Sequence, residues 1–551
     1  MEFTSVNKIF EASFKKHWDR PAISNYQGVT LHYRDVARRI EKLHIMFEEC
    51  GLQKGDKVAL CSRNQANWAV AFLSTMTYGA VPVPLLHEFK SSNIHHLVNH
   101  SEAKILFVDD VIWEGLTETE MPDLHAIIQV NTFKLLYAAD EKITEAREHL
   151  NELFGRKYPN VFTPDALDYY EDSAEELAII NYTSGTSGFS KGVMIPYRAI
   201  LSNLEFGRKV LPELDHTKNM VSMLPSAHMY GLMFELLYEL SVGAHVHFLS
   251  RVPSPKIIMQ AMSDVKPYLV IAVPLVIEKI YKSKVKPILE KEGIRFLMKV
   301  PGLNQVVMNK IKTELVNAFG GEFYQVIIGG AAFNKEVEAF FKKIGFPVTV
   351  GYGMTECAPI ITYDDWNVEK LYSCGKAAPN LEVRIDSTDP ANVPGEILIK
   401  GANVFLGYFK NEEATKSVFT DDGWFKTGDM GVIDQDGSLF IKGRSKCMIL
   451  GPSGQNIYPE EVETVINSQP YVVDSLVVED NGGLTALIYP DFAQGAKDGM
   501  DQDAFVKYME GTLPELNKEL PNYAKLKKIE VMSEDFERTP KKSIKRYLYQ
   551  R

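Results

Sequence analysis

The chain has 551 residues, more than one hydrophobic core organises, so at least two domains are expected. Apolar residues make up 45% and charges are interspersed, which describes a globular soluble protein; the net charge of −12 excludes the basic face that a nucleic-acid partner needs. Five scattered cysteines (Cys50, Cys61, Cys357, Cys374, Cys447) without CxxC spacing argue against a disulfide framework or a zinc site and fit a reducing cytosol. The N-terminus lacks the unbroken apolar stretch of a signal peptide, and no window is long enough to span a membrane. The expected location is therefore cytoplasmic, and any membrane association would be peripheral contact from the surface.

The first half alternates helix and strand signals. Val36, Ile40, Leu43 and Phe47 recur at helical spacing, and Gly51 follows as a stop. Residues 57–62 (KVALCS) read as a short buried strand, 68–78 as a second helix and 80–85 (AVPVPL) as a second strand. Apolar runs at 105–108, 127–130, 177–180, 269–273, 326–328 and 348–350 continue the series. Strands separated by helical stretches predict an α/β fold with mainly parallel sheets covered by helices. Ligands then sit at the carboxyl ends of strands, and three of these strands run into Gly-rich turns at 182–192, 329–332 and 351–355. Residues 283–321 read as a helical excursion beside the main sheet. Sequence character changes after about Gly443: strands at 472–478, 484–489 and 529–532 and a helix near 505–520 describe a small α/β unit.

Residues 182–192 (YTSGTSGFSKG) place five hydroxyl side chains and three glycines around Lys191, just after an apolar strand. Glycines let backbone N–H groups approach an anion, the hydroxyls of Thr183, Ser184, Thr186, Ser187 and Ser190 add donors, and Lys191 adds charge. The P-loop spacing is absent. A flexible surface linker is the competing reading of such composition; the preceding strand and Lys191 favour an anion site.

This loop resembles the phosphate loop of the adenylate-forming superfamily, which includes acyl-CoA synthetases, adenylation domains of peptide synthetases and firefly luciferase. Further motifs follow in that family's order between Gly55 and Arg546. The resemblance implies that Thr183, Ser184, Gly185, Thr186, Ser187, Gly188 and Lys191 hold the phosphates of ATP, with Thr186 also near the metal. In 224–231 (LPSAHMYG), it implies that His228 lines the acyl pocket and that Tyr230 and Gly231 shape or gate the tunnel mouth; a lone histidine is otherwise a core residue. In 329–332 (GGAA), Gly329 borders the substrate while Gly330, Ala331 and Ala332 flank the adenine, although this segment alone equally describes a tight turn. In 351–359 (GYGMTECAP), Gly351, Tyr352 and Gly353 border the base, Thr355 contacts phosphate and Glu356 ligates Mg²⁺. An aromatic face suits a purine, and a carboxylate suits a hard cation. Asp429, in 424–429 (WFKTGD), and Arg444 hold the ribose.

The same resemblance makes Lys446 the hinge between an N-terminal AMP-binding and acyl-binding domain, 1–445, and a small mobile C-terminal domain, 446–551. Residues 454–456 form the strand edge facing the site in the second pose, and Pro459, Glu460 and Glu461 open a helix. Relatives end with a lysine in a pattern like TPTGKIKR; here 538–546 reads RTPKKSIKR and puts Ser543 at that position. Lys542 or Lys541 would then act as the displaced catalytic lysine, the competing reading being a solvated basic tail.

The local match is to long-chain fatty acyl-CoA synthetases, carried by 79–85 (GAVPVPL), 273–282 (VPLVIEKIYK) and 283–321. It implies activation of a fatty acid with ATP and Mg²⁺ as the acyl adenylate, then transfer to coenzyme A with release of AMP and pyrophosphate. A ligase that loads an acyl carrier protein, or another carboxylic acid–CoA ligase, shares these motifs. Two non-enzymatic alternatives remain, a nucleotide-binding pseudoenzyme, motivated by Ser543, and a membrane-surface acyl carrier using its basic tail; Glu356 and Asp429 argue against both. No motif sets the oligomeric state or the acyl chain length.

Overall fold

The computed structural model describes residues 4–183, 190–250, 254–450, 456–480, 482–539 and 543–551. The apolar runs form two mainly parallel sheets. One orders its strands Val81–Leu85, Lys57–Cys61, Ala103–Val108, Ala126–Gln129 and Leu135–Ala138, parallel except for the last pair. The other runs Val348–Val350, Gln325–Ile328, Leu269–Ala272, Asn219–Ser222, His245–Phe248, Pro21–Asn25 and Thr30–His32, again parallel except for the last pair. Strands such as Leu269–Ala272 and Gln325–Ile328 are buried along their whole length, which is why they read as unbroken apolar runs.

The predicted helices form around these sheets. Helix Tyr33–Glu49 buries Val36, Ile40, Leu43 and Phe47 on one face. Helix Ala66–Tyr78 is almost wholly buried and stops at Gly79, whose φ of +85° only glycine adopts at low cost. In the seven-stranded sheet Ile328 lies opposite Val350 and Met220 opposite Leu269. The turns that follow these strands therefore emerge along one sheet edge, as expected of a parallel sheet.

Three elements differ from expectation. Strand Leu177–Thr183 does not feed a helix; it turns back, antiparallel, into Lys191–Pro196, with Thr183 opposite Lys191. A parallel return needs a crossover of a dozen or more residues, and 184–190 is too short for one. Strand Gly407–Tyr408 completes this three-stranded sheet. Next, an antiparallel sheet of Leu381–Asp386, Gly395–Gly401, Phe425–Ile433 and Leu439–Arg444 fills a region read only for its TGD and GR motifs. Its outer strands alternate buried and exposed residues, so no unbroken apolar run marks them. In the small unit, strands Val472–Asp480, Gly483–Pro490 and Leu526–Val531 form a sheet over a core with Ile466, Ile488 and Phe505. The helix expected over 505–520 is two helices, Gln502–Gly511 and Leu513–Glu519, because Pro514 cannot continue the first.

The helical run Met229–Leu232, Met233–Leu237 and Tyr238–Val242 carries two buried carboxyls. One oxygen of Glu235 accepts from the Ser222 hydroxyl (3.1 Å) and from the backbone N–H groups of Met223 (3.1 Å) and Leu224 (2.9 Å). Neither oxygen of Glu239 has a hydrogen-bond partner among the described residues, and burial pushes its pKa up to about 8. Such a group is held as the neutral acid. Between the ordinary value of 4.5 and about 8, the folded chain binds the Glu239 proton that the unfolded chain has lost. Its contribution to stability is therefore fully present at low pH and is lost as pH rises through that window. Glu239→Gln is expected to raise the melting temperature more at pH 8 than at pH 5 in scanning calorimetry. Equal shifts at both pH values would contradict this reading.

Candidate functional site

The turn after strand Val348–Val350 leads into the two-residue strand Tyr352–Gly353, which pairs antiparallel with Ile360–Tyr363. The close approach needs glycine: a Cβ on Gly353 would sit 2.3 Å from the Pro359 carbonyl oxygen. Tyr352 is buried, and its hydroxyl donates to Oδ2 of Asp429 at 2.6 Å. Asp429 is itself buried and is the cross-strand partner of Arg444, whose Nε lies 3.0 Å from Oδ1. Burial and the Asp429 charge push the Tyr352 pKa well up, so its hydroxyl remains a donor. Asp429 in turn holds the Arg444 pKa above its ordinary value. Arg444 is exposed, which leaves its guanidinium facing outward while Asp429 anchors it.

A second connected set lies two turns along. Glu356 sits in the short turn Thr355–Cys357, buried, and its carbonyl accepts from Phe405 N–H at 2.9 Å. Its Oε1 accepts a 3.0 Å hydrogen bond from the hydroxyl of Tyr408. Lys191, at the start of strand Lys191–Pro196, places Nζ 4.6 Å from the centre of the same Tyr408 ring. A cation over a ring face that is hydrogen-bonded to a carboxylate links opposite charges through one side chain. The sequence reading missed Tyr408. Its signal was the Gly–Tyr pair at 407–408, where Gly407, at φ +141°, lies against Thr415.

The 224–231 segment follows strand Asn219–Ser222. It is pinned by three polar contacts: Asn64 Oδ1 accepts from Ser226 N–H (2.8 Å), Asn181 Nδ2 donates to the Ala227 carbonyl (2.9 Å), and Glu235 holds residues 222–224. His228 is half-buried and occupies the position just before the helix that begins at Met229. Tyr230 donates to the Ile327 carbonyl at 3.0 Å and lies against Gly329, where a Cβ would stand 3.3 Å from the ring. That hydrogen bond fixes Tyr230 as a wall. Gly231 is buried against Leu224 and Pro225. Gly329 is buried, whereas Gly330, Ala331 and Ala332 are exposed on the adjacent turn. Gly351 and Thr355 are half-buried beside them.

The structure thus brings together residues 228–231, 329–332 and 351–356, and ties Asp429, Arg444 and Lys191 to that edge. Ser184, Gly185, Thr186, Ser187 and Gly188 lie outside the described residues, as do Gly454, Gln455, Lys541 and Lys542. Thr183 and Ser190 flank the phosphate-loop residues and are half-buried. At the C-terminus, Thr539 N–H donates to the Ser543 carbonyl (2.8 Å), and Arg538 and Ile544 form an antiparallel bridge. Lys545 pairs with Glu537 at 3.0 Å, and Arg546 pairs with Glu463. Both cations are committed within the small unit. Lys446 is exposed in the turn Ser445–Cys447, directly after Arg444. Beside it, Gly443 lies against Tyr458 and Glu460, and Lys442 pairs with Glu461 at 3.3 Å. Among the described residues no cluster of three His, Cys, Asp or Glu side chains could hold a metal, and no helix is long and apolar enough to cross a membrane. Glu356 offers one carboxylate, a hard oxygen donor of the kind a hard cation takes.

The family model described as AMP-binding enzyme matches residues 10–409, and that of the AMP-binding enzyme C-terminal domain matches residues 448–551. The long-chain-fatty-acid–CoA ligase FadD15 of Mycobacterium tuberculosis is 26% identical over 498 residues, covering 84% of this chain and 78% of the relative. The long-chain-fatty-acid–CoA ligase of Escherichia coli O6:H1 is 26% identical over 510 residues, covering 86% and 83%. Among solved structures, ATP-bound MatB from Rhodopseudomonas palustris superposes with a TM-score of 0.76 at 24% identity, covering 99% of this chain and 98% of that one. O-succinylbenzoate coenzyme A synthetase from Bacillus subtilis, in complex with ATP and magnesium ion, gives a TM-score of 0.74 at 22% identity and covers 98% of each chain.

Proposed function

The chain belongs to the AMP-binding enzyme family, and from that premise we propose that it is a fatty acid–CoA ligase acting on long-chain acids. The carboxylate attacks the α-phosphate of ATP, an O–P bond forms, pyrophosphate leaves, and the acyl adenylate results. The thiol of coenzyme A then attacks the acyl carbon, the thioester forms, and AMP leaves with the electron pair of the broken C–O bond. The observation that carries this reading is the convergence of Tyr352–Asp429–Arg444 and Lys191–Tyr408–Glu356 on one sheet edge. The first set presents a ring, a carboxylate and a guanidinium, the groups a nucleoside needs. The second presents a cation and a carboxylate, the groups a metal-bound triphosphate needs.

In this reading Asp429 and Arg444 bind the ribose hydroxyls, and Tyr352 with residues 329–332 and 351–353 borders the adenine. Thr355, Lys191 and the 183–188 segment hold the phosphates. Glu356, with Thr186, would hold Mg²⁺, which supplies charge neutralisation on the phosphates. Tyr408 orients the Glu356 carboxylate and supports Lys191 from below. His228, Tyr230, Gly231 and Gly329 line the entry of the acid and align its carboxylate, a positional contribution. Domains 1–445 and 446–551 rotate about Lys446 between the two half-reactions, which also keeps water from the adenylate. The long-chain preference rests on relatives whose names state that substrate and on the local match at 273–282.

Acids of graded length, offered with coenzyme A and with acyl carrier protein in parallel, are expected to give the fastest product formation with long chains and coenzyme A. Preference for short or aromatic acids would overturn the substrate assignment, and transfer to carrier protein alone would overturn the acceptor. Lys545 is tied to Glu537, so the positive charge that usually occupies the Ser543 position comes from Lys541 or Lys542. In single-turnover adenylate formation, alanine at one of these two is expected to cost roughly 100-fold, the scale of one lost transition-state contact. Lys545→Ala should stay within about twofold. Full activity in both Lys541→Ala and Lys542→Ala would sink this assignment.

A further inference from the structure

A second cationic recess lies away from the sheet edge just described. Helix Tyr33–Glu49, the loop at 131–134 and helices Glu141–Glu148 and Leu150–Lys157 enclose a cavity of about 220 Å³ beside the edge of the five-stranded sheet. Arg39, Lys42 and Arg147 line it, with Leu43, Phe133 and Leu150 as apolar walls. None of these residues belongs to a segment of the candidate active site.

The three cations are held in place by neutral oxygens. Arg39 Nη1 donates to Asn67 Oδ1 (2.5 Å), Lys42 Nζ to Asn151 Oδ1 (2.6 Å), and Arg147 Nε to the Phe133 carbonyl (2.7 Å). None of them forms an ion pair with a described carboxylate, although the chain carries 72 acidic residues against 60 basic ones. Glu148, the carboxylate on the rim, is exposed and makes no such pair. Arg38 and Lys42 both lie over the Phe154 ring, at 5.2 and 5.5 Å, which adds a fourth positive charge at the margin. The Asp35 charge partly offsets Arg39 without an ion pair; the repulsion that remains among these half-buried cations is relieved by an anion between them. Burial lowers the proton affinity of both Arg39 and Lys42; for Lys42 the charges of Arg38, Arg147 and Arg39 add to the effect. The fork geometry of two arginines suits phosphate oxygens.

Arg147 and Glu148 also border an adjoining recess of about 430 Å³, floored by Leu135, Tyr137 and Ala138 of the edge strand. Its floor is half-buried and apolar. A ligand that filled both spaces would have a compact anionic head and a small organic body.

We propose that Arg39, Lys42 and Arg147 form a second anion site, which takes the phosphate of a small phosphate monoester, the organic part lying along strand Leu135–Ala138. Calorimetric titration of the full chain with glycerol phosphate and with inorganic phosphate tests this. The double variant Lys42→Met/Arg147→Met is expected to lose one monoester site per chain. Lys191→Met, which alters the phosphate loop, should keep that site, so the two anion sites are told apart. The monoester is expected to bind at least about tenfold tighter than inorganic phosphate. Should the double variant fold poorly by circular dichroism, Lys42→Glu alone serves, because the one hydrogen bond of its amine goes to the exposed Asn151, and Lys42→Arg should restore binding. Identical titrations in wild type and variant, or no monoester site in wild type, would overturn the proposal. Equal affinity for inorganic phosphate would remove the organic recess from it.

Discussion

One buried carboxylate organises the site. Asp429 joins the end of a parallel sheet, through Tyr352, to the last strand of an antiparallel sheet, through Arg444. A buried carboxylate is costly unless hydrogen-bonded and paired, and here one oxygen takes a phenol and the other a guanidinium. The requirement runs both ways. Tyr352 must stay protonated to donate, and Arg444 must remain at the surface end of its strand to reach. Two sheets that share no strand are thereby held in register at the point where a nucleoside would bridge them.

The second set follows the same logic with the charges set further apart. Glu356 sits in a turn that Phe405 N–H closes from outside, and Tyr408 connects its carboxylate to Lys191. The strand bearing Tyr408 pairs with the strand that Lys191 opens, so strand Lys191–Pro196 and the Glu356 turn are tied together. Thr183 and Lys191, on either side of 184–190, are thus anchored on paired strands. The 222–231 segment is anchored differently: Asn64, Asn181 and Glu235 bind the backbone of 222–227, and Tyr230 is tied to Ile327.

Much of this was legible in the sequence, for identifiable reasons. The parallel strands announce themselves because burial on both faces makes them continuously apolar, and the Gly-rich turns mark their carboxyl ends. The motifs around Glu356, Asp429 and Arg444 are local, so their spacing survives reading in one dimension. The hairpin direction after Thr183 depended on the length of 184–190, which the strand–turn pattern hid. The antiparallel sheet was missed because its strands alternate in polarity. Tyr408 was missed because its value lies wholly in three-dimensional contacts with residues 52 positions and more away. The helix break at Thr512 lay in plain view at Pro514, and periodicity alone overrode it.

The central question is whether these two charge-linked sets build one adenylation site. Exchange of labelled pyrophosphate into ATP, without coenzyme A, isolates that half-reaction and reports it directly. The account predicts exchange that depends on added long-chain fatty acid and on Mg²⁺, and that falls by at least about tenfold in Asp429→Ala, the scale of one lost charge-assisted contact. The absence of exchange with every acid tested would contradict it.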